Sequence, residues 1–184
     1  MEVRFDGHCF GCGPLNLDGL RLTFTPGPDG SVAEFEVPDR FQSWAGMAHG
    51  GVVALMLDEA VGWAAWHAGH PGVTGRLQVS YRRPLKLGEP VRIVGKVENV
   101  RRTLVHCSAV VENRNDGSRI ADATATVMAV KTVVDPIGGE NHHLRSGAPL
   151  GARRVQVGGW RSLAARTVRD REAPGSNPGP PTNF

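Results

Sequence analysis

The sequence predicts an α+β fold, a curved antiparallel β-sheet wrapped around one long buried α-helix. Three observations predict it. Two β-rich segments, residues 20–25 and 31–37, come first. A single helical segment, His49 to Trp66, follows and is apolar on every side, as expected of an enclosed helix rather than a surface one. Four segments of alternating apolar and polar residues complete the pattern.

Each element has its own signal. Pro26-Gly27-Pro28-Asp29-Gly30 has turn chemistry and separates the first two strands. Gly69 and Pro71 stop the helix. From Arg76 to Arg82, Leu77, Val79 and Tyr81 fall on one face and Arg76, Gln78, Ser80 and Arg82 on the other. Residues 90–100, 104–113 and 119–130 repeat that period. Short links at Arg101-Arg102-Thr103 and Asn115-Asp116-Gly117 read as hairpins, so the last four strands are expected to form an antiparallel meander.

Composition narrows the function. No apolar run is long and uncharged enough to span a membrane, and the first residues lack the pattern of a secretory signal. Three cysteines make no disulfide framework, so a cytoplasmic protein is expected. Residues 1–131 hold 14 Lys/Arg against 14 Asp/Glu, which removes any charge argument for a nucleic-acid partner. The net excess of three lies wholly in residues 132–184, with 8 Gly and 6 Pro among 53. A domain over 1–131 and a disordered Gly/Pro-rich basic tail over 132–184 are expected.

Asp58 and Glu59 are the only charges in the apolar helix. A buried carboxylate is costly without a partner or a task, and neighbouring helical positions, about 100° apart, cannot both face one environment. Ala48-His49-Gly50-Gly51 lacks a Ser, Thr, Asp or Asn cap, so the first helical N–H groups are expected to be free. Free amides at a helix start suit the oxyanion of an attacked ester or thioester. His49 and Asp58 are separated by about 13.5 Å of helix and about half a turn, too far for one carbonyl to touch both. Two antiparallel copies would bring them together, so a homodimer with composite sites is expected.

These residues resemble the hotdog-fold acyl-CoA thioesterases of the phenylacetyl-CoA thioesterase (PaaI) type. The matching pieces are CFGCGPLNLDGL at 9–20, GMAHGGVVALMLDEAVG at 46–62 and TGRLQVSYRRPLKLGEPV at 74–91, in order over about residues 8–130. The resemblance implies hydrolysis of an acyl-CoA to free acid and CoA without a further cofactor, by a homodimer or by a homotetramer in which such dimers pair. It implies Asp58 as base or nucleophile, the Gly50 N–H after His49 as oxyanion donor, and Thr74 as assistant to the attacking water. Gln42 or Ser43 fills the place of an Asn or Gln found in some relatives. Gly51, Gln42, Ser80, Arg82, Arg83, Arg101 and Arg102 are the substrate- and CoA-binding candidates, the arginines for the coenzyme phosphates.

Other readings remain in view. A non-catalytic acyl-CoA binding module could use the same fold. A hydratase of that fold would want an Asp followed five residues later by His, a pair the chain lacks. Nucleophile-elbow, phosphate-loop and His-Glu-x-x-His motifs are also missing. Trp44, Trp63 and Trp66 are candidates to shape an aromatic acyl pocket. Cys9-Phe10-Gly11-Cys12 is read as a packing turn and not a metal site, because no second ligand pair at metal spacing accompanies it.

Overall fold

The computed structural model describes residues 2–4, 6–28, 30–130 and 132–134. The expected disorder of the tail falls outside these residues, apart from a short strand at its start. Strand β1 (Glu2–Arg4) pairs in parallel with β8 (Thr132–Val134). The main body is a six-stranded antiparallel sheet around one helix, as the sequence predicts.

Its strands are β2 (Thr25–Gly27), β3 (Gly30–Glu36), β4 (Gly72–Tyr81), β5 (Pro90–Arg101), β6 (Leu104–Asn113) and β7 (Arg119–Ala129), with helix α1 (Gly50–His67) between β3 and β4. The spatial order β2-β3-β5-β6-β7-β4 corrects the expected four-strand meander. Of those four strands, only β5, β6 and β7 run as consecutive hairpins; β4 pairs with β7, and β5 pairs with β3. The reason is the link between β4 and β5. Residues 82–89 are too many for a tight hairpin and include Pro84, and the Arg82 N–H bonds the Ile120 carbonyl at 2.8 Å.

The first β-rich segment also differs. Leu20, Leu22 and Phe24 do alternate into the core, but the Leu20 and Leu22 N–H groups bond Phe10 and Gly11 carbonyls at 2.9 Å each. The N-terminal loop therefore takes the place of a partner strand there, and the ladder begins only at Thr25.

The concave face of the sheet receives α1. Val91 and Ile93 of β5, Val105, Cys107, Ala109 and Val111 of β6, and Ala123, Ala125 and Val127 of β7 turn inward by the two-residue period. They meet Val52, Val53, Met56, Leu57, Ala60, Val61 and Ala65, one stripe of the helix. The approach is closest at Gly95, where a Cβ would lie 2.0 Å from the Ala60 carbonyl oxygen. The other side of α1, with Leu55, Asp58, Glu59, Trp63 and Trp66, is only half-buried in the single chain. Full enclosure of the helix, as its composition predicts, is thus met on one side only.

No helix among the described residues is long and apolar enough to cross a membrane.

Candidate active site

The site begins where α1 begins. His49 is extended, with φ −66° and ψ 134°, and its imidazole Nδ1 accepts the Gly51 N–H at 2.9 Å. Its carbonyl accepts from Val52 at 2.9 Å. This corrects the expectation of an uncapped start: an imidazole does the work usually done by a short polar side chain. Gly51, a candidate ligand contact, has its N–H engaged as a result. The Gly50 N–H has no partner among the described residues, and Gly50 is exposed. The Tyr81 hydroxyl donates to the Gly50 carbonyl at 2.9 Å and so ties the last residue of β4 to the first of the helix.

The two helical carboxylates face different surroundings. Glu59 Oε1 accepts from Cys9 Sγ at 3.1 Å. Burial, and after it the Glu59 charge, pushes the Cys12 thiol far above its ordinary range. Asp58 has no such neighbour. Its Oδ1 is buried and unpartnered, as are Ser31 Oγ and His67 Nδ1 among the described residues; it is the one carboxylate of the three. A buried carboxylate oxygen without a donor costs several kcal/mol, roughly, so it marks a place where something else is expected to bind.

Thr74 is half-buried on β4, opposite Val127 of β7. The ladder shifts register between Thr74 and Arg76, a bulge that re-aims the strand at this position. Ser80 is half-buried opposite Asp122. Gln42 is turned into its own loop, Oε1 accepting the Gly46 N–H at 3.0 Å, while Ser43 Oγ lies 3.4 Å from the Met47 carbonyl.

An open cleft of about 360 Å³ lies at the start of α1. Phe10, Phe41, Val52 and Leu55 give it apolar walls, and Gln42, His49 and Gly51 contribute polar groups. Phe10 was not among the expected site residues; the signal was its place between two cysteines, read only as a turn. Trp44 is 79% exposed, whereas Trp63 stacks on Phe24 at 6.4 Å and adjoins Trp66 at 6.0 Å.

The four candidate arginines divide into two pairs. Arg82 makes two bonds to Asp122, at 2.7 and 3.1 Å. Arg83 grips Glu89 and also donates to Ser118 at 2.9 Å. Those Arg83 bonds come first among the causes that hold the Glu89 carboxyl down at about 2. Arg101, the last residue of β5, and Arg102, in the turn after it, are exposed and have no ion pair among the described residues.

Comparison with known proteins agrees with this architecture. Residues 45–120 match the family model described as thioesterase superfamily. Human acyl-coenzyme A thioesterase 13 is 30% identical over 101 residues, covering 54% of this chain and 72% of that protein. A Streptococcus mutans UA159 protein solved bound to acetyl CoA superposes with TM-score 0.55 at 25% identity, covering 59% of this chain and 88% of the other. Thioesterase superfamily member 2 from Mus musculus gives TM-score 0.55 at 26% identity, with 59% and 83% covered. With one helix packed along one stripe on an antiparallel sheet in the hotdog manner, the chain belongs to the thioesterase superfamily.

Proposed function

We propose that this protein hydrolyses an acyl-CoA thioester to a free acid and CoA, with Asp58 as the base or nucleophile and the Gly50 N–H as the oxyanion donor. The observation that carries the reading is the buried, unpartnered Oδ1 of Asp58. Such a group can take the proton of an attacking water, or attack the carbonyl carbon itself. With Asp58 as base, water forms the carbon–oxygen bond as the carbon–sulfur bond breaks and the thiol leaves protonated; with Asp58 as nucleophile, the thiol leaves first and water then hydrolyses the Asp58–acyl anhydride to the free acid. The reaction consumes water and needs no further cofactor.

Gly50 suits its role because its N–H is free and sits at the positive end of the helix dipole. His49 acts as a positioning residue: by capping Gly51 it holds the first turn so that the Gly50 amide points outward. Thr74, at the bulge of β4, assists the water. The coenzyme phosphates meet Arg101 and Arg102, the two candidate arginines without a carboxylate partner. Arg82 and Arg83 brace the sheet instead.

Gly50 and Asp58 are eight helical positions apart, about 12 Å along the axis, so one carbonyl cannot reach both in one chain. The active unit is therefore a homodimer with two composite sites, or a higher assembly of such dimers. The half-buried side of α1 and the exposed Trp44 and Tyr81 suit contact with a second copy. A cytoplasmic setting fits the free state of all three cysteines.

The test is thiol release from a panel of short, medium and aromatic acyl-CoAs. Turnover of at least one, lost in Asp58→Asn, supports the reading. Loss in Glu59→Gln with Asp58→Asn still active would move the role to the other carboxylate. Tight binding of acyl-CoA with no turnover across the panel would make the protein a binding module.

A further inference from the structure

A second group of chemically able side chains lies where the N-terminal loop crosses α1. The sulfurs of Cys9 and Cys12 and a carboxylate oxygen of Glu59 all lie within 4.8 Å of one another. The loop holds this arrangement firmly. Gly13 N–H closes the turn on the Cys9 carbonyl at 2.9 Å, and the Phe10 and Gly11 carbonyls between the cysteines are bonded by Leu20 and Leu22. Gly11 lets the backbone meet the carboxylate: a Cβ there would sit 2.3 Å from Glu59 Oε1. The Trp63 side chain, one turn further along the helix, hydrogen-bonds the Cys12 sulfur.

We propose that Cys9, Cys12 and Glu59 bind one Zn²⁺ ion, which staples the N-terminal loop to the helix. Zinc favours tetrahedral thiolate and carboxylate ligands at about 2.3 and 2.1 Å, which puts donor atoms roughly 3.5–3.8 Å apart. The observed spacing reaches that geometry with side-chain movements of about 1 Å or less. On binding, both thiols lose their protons to solvent and two sulfur–zinc bonds form; the carboxylate gives the third bond and water the fourth. An indole N–H on a ligating sulfur is the kind of outer contact that steadies a thiolate. The ligand that the Cys-x-x-Cys pair lacks nearby in the sequence comes from the helix, 50 residues after Cys9. The inference is independent of the catalytic reading, since Asp58 takes no part.

The experiment loads the full chain with zinc, dialyses it against metal-free buffer and measures metal per chain by atomic spectroscopy. Alkylation of each cysteine is followed in parallel by mass spectrometry, with and without zinc. The expected result is one zinc per chain, slowed alkylation of Cys9 and Cys12, and cobalt substitution giving a thiolate-to-metal absorption band. Glu59→Gln should weaken zinc binding at least about tenfold, and Cys107→Ala should leave it unchanged. Should a Cys12→Ser variant fail to fold, the alkylation pattern of the unaltered chain decides. Absence of bound zinc with alkylation unaffected overturns the proposal, as does zinc retained by the Cys9→Ser/Cys12→Ser double variant. Unweakened binding by Glu59→Gln overturns the carboxylate's part.

Discussion

Glu89 and Asp58 are both carboxylates drawn partly out of water, and they have opposite surroundings. Glu89 is surrounded by donors: Arg83 grips it, Asn113 Nδ2 donates at 2.7 Å and the Lys86 N–H at 3.3 Å. Asp58 Oδ1 has none among the described residues. A carboxylate whose lone pairs are filled is chemically quiet and stabilises the fold. One left unfilled inside an apolar helix opposes folding and is ready for an external group. The contrast separates a structural carboxylate from a candidate catalytic one without reference to where either falls in a motif.

The largest effect expected from this contrast is on rate. Asp58→Asn should lower kcat by roughly 10²–10⁴ while melting temperature stays level or rises, because a neutral amide relieves a buried charge. A matching fall in stability would place Asp58 with Glu89 as a structural group and break the comparison. Next comes Gly50→Pro, expected to cost about 10²–10³ in kcat by removing the oxyanion donor. Proline is tolerated at the first helical position, and the Tyr81 ring at 3.7 Å or beyond leaves room for a Cβ. Mixing this variant with Asp58→Asn tests the composite site. Random exchange makes about half the dimers mixed, each with one intact site, so recovery should approach about a quarter of the wild-type rate. No recovery despite proven exchange would assign each site to one chain.

Glu89→Gln should act the other way, keeping kcat and costing about 1–3 kcal/mol of stability at neutral pH. The sign follows from the depressed carboxyl. A folded value of about 2 against the ordinary 4.5 means the stabilisation is fully present above about pH 4.5. It is lost as pH falls toward 2, so wild type and variant should converge there in acid-unfolding curves. Parallel curves would deny Glu89 its structural part. The smallest effect belongs to the free arginines. Arg101→Ala with Arg102→Ala should raise KM for acyl-CoA by about 2–5-fold, with kcat kept and the difference fading at high salt. An equal rise for a short thioester without the nucleotide would show that the arginines do not meet the phosphates.

Much of the architecture was legible in the residues. Alternation at 104–113 and 119–130 marked β6 and β7 to within a residue, because one face of each strand must be apolar to meet the helix. The His49–Trp66 helix was equally plain. Strand neighbours were not, since period says which face is buried and nothing about which strand lies beside which. The eight residues of 82–89, with Pro84 among them, are the sequence's own signal against a hairpin between β4 and β5. The imidazole cap is not legible in the sequence, because His49 is outside the usual capping residues and only the first turn's geometry brings Nδ1 to Gly51.

By itself the sequence determined the α+β class, the spans of α1, β6 and β7, and the presence of two charges where charges are costly. Local propensity and burial period are written in neighbouring residues, so they can be read from one chain. Only the tertiary structure decided which carboxylate is satisfied. Glu59 is met by a loop 50 residues earlier in the chain, and Glu89 by Asn113, 24 residues later, while Asp58 is met by nothing among the described residues. Partners of that kind depend on how distant segments pack, and no local pattern encodes them.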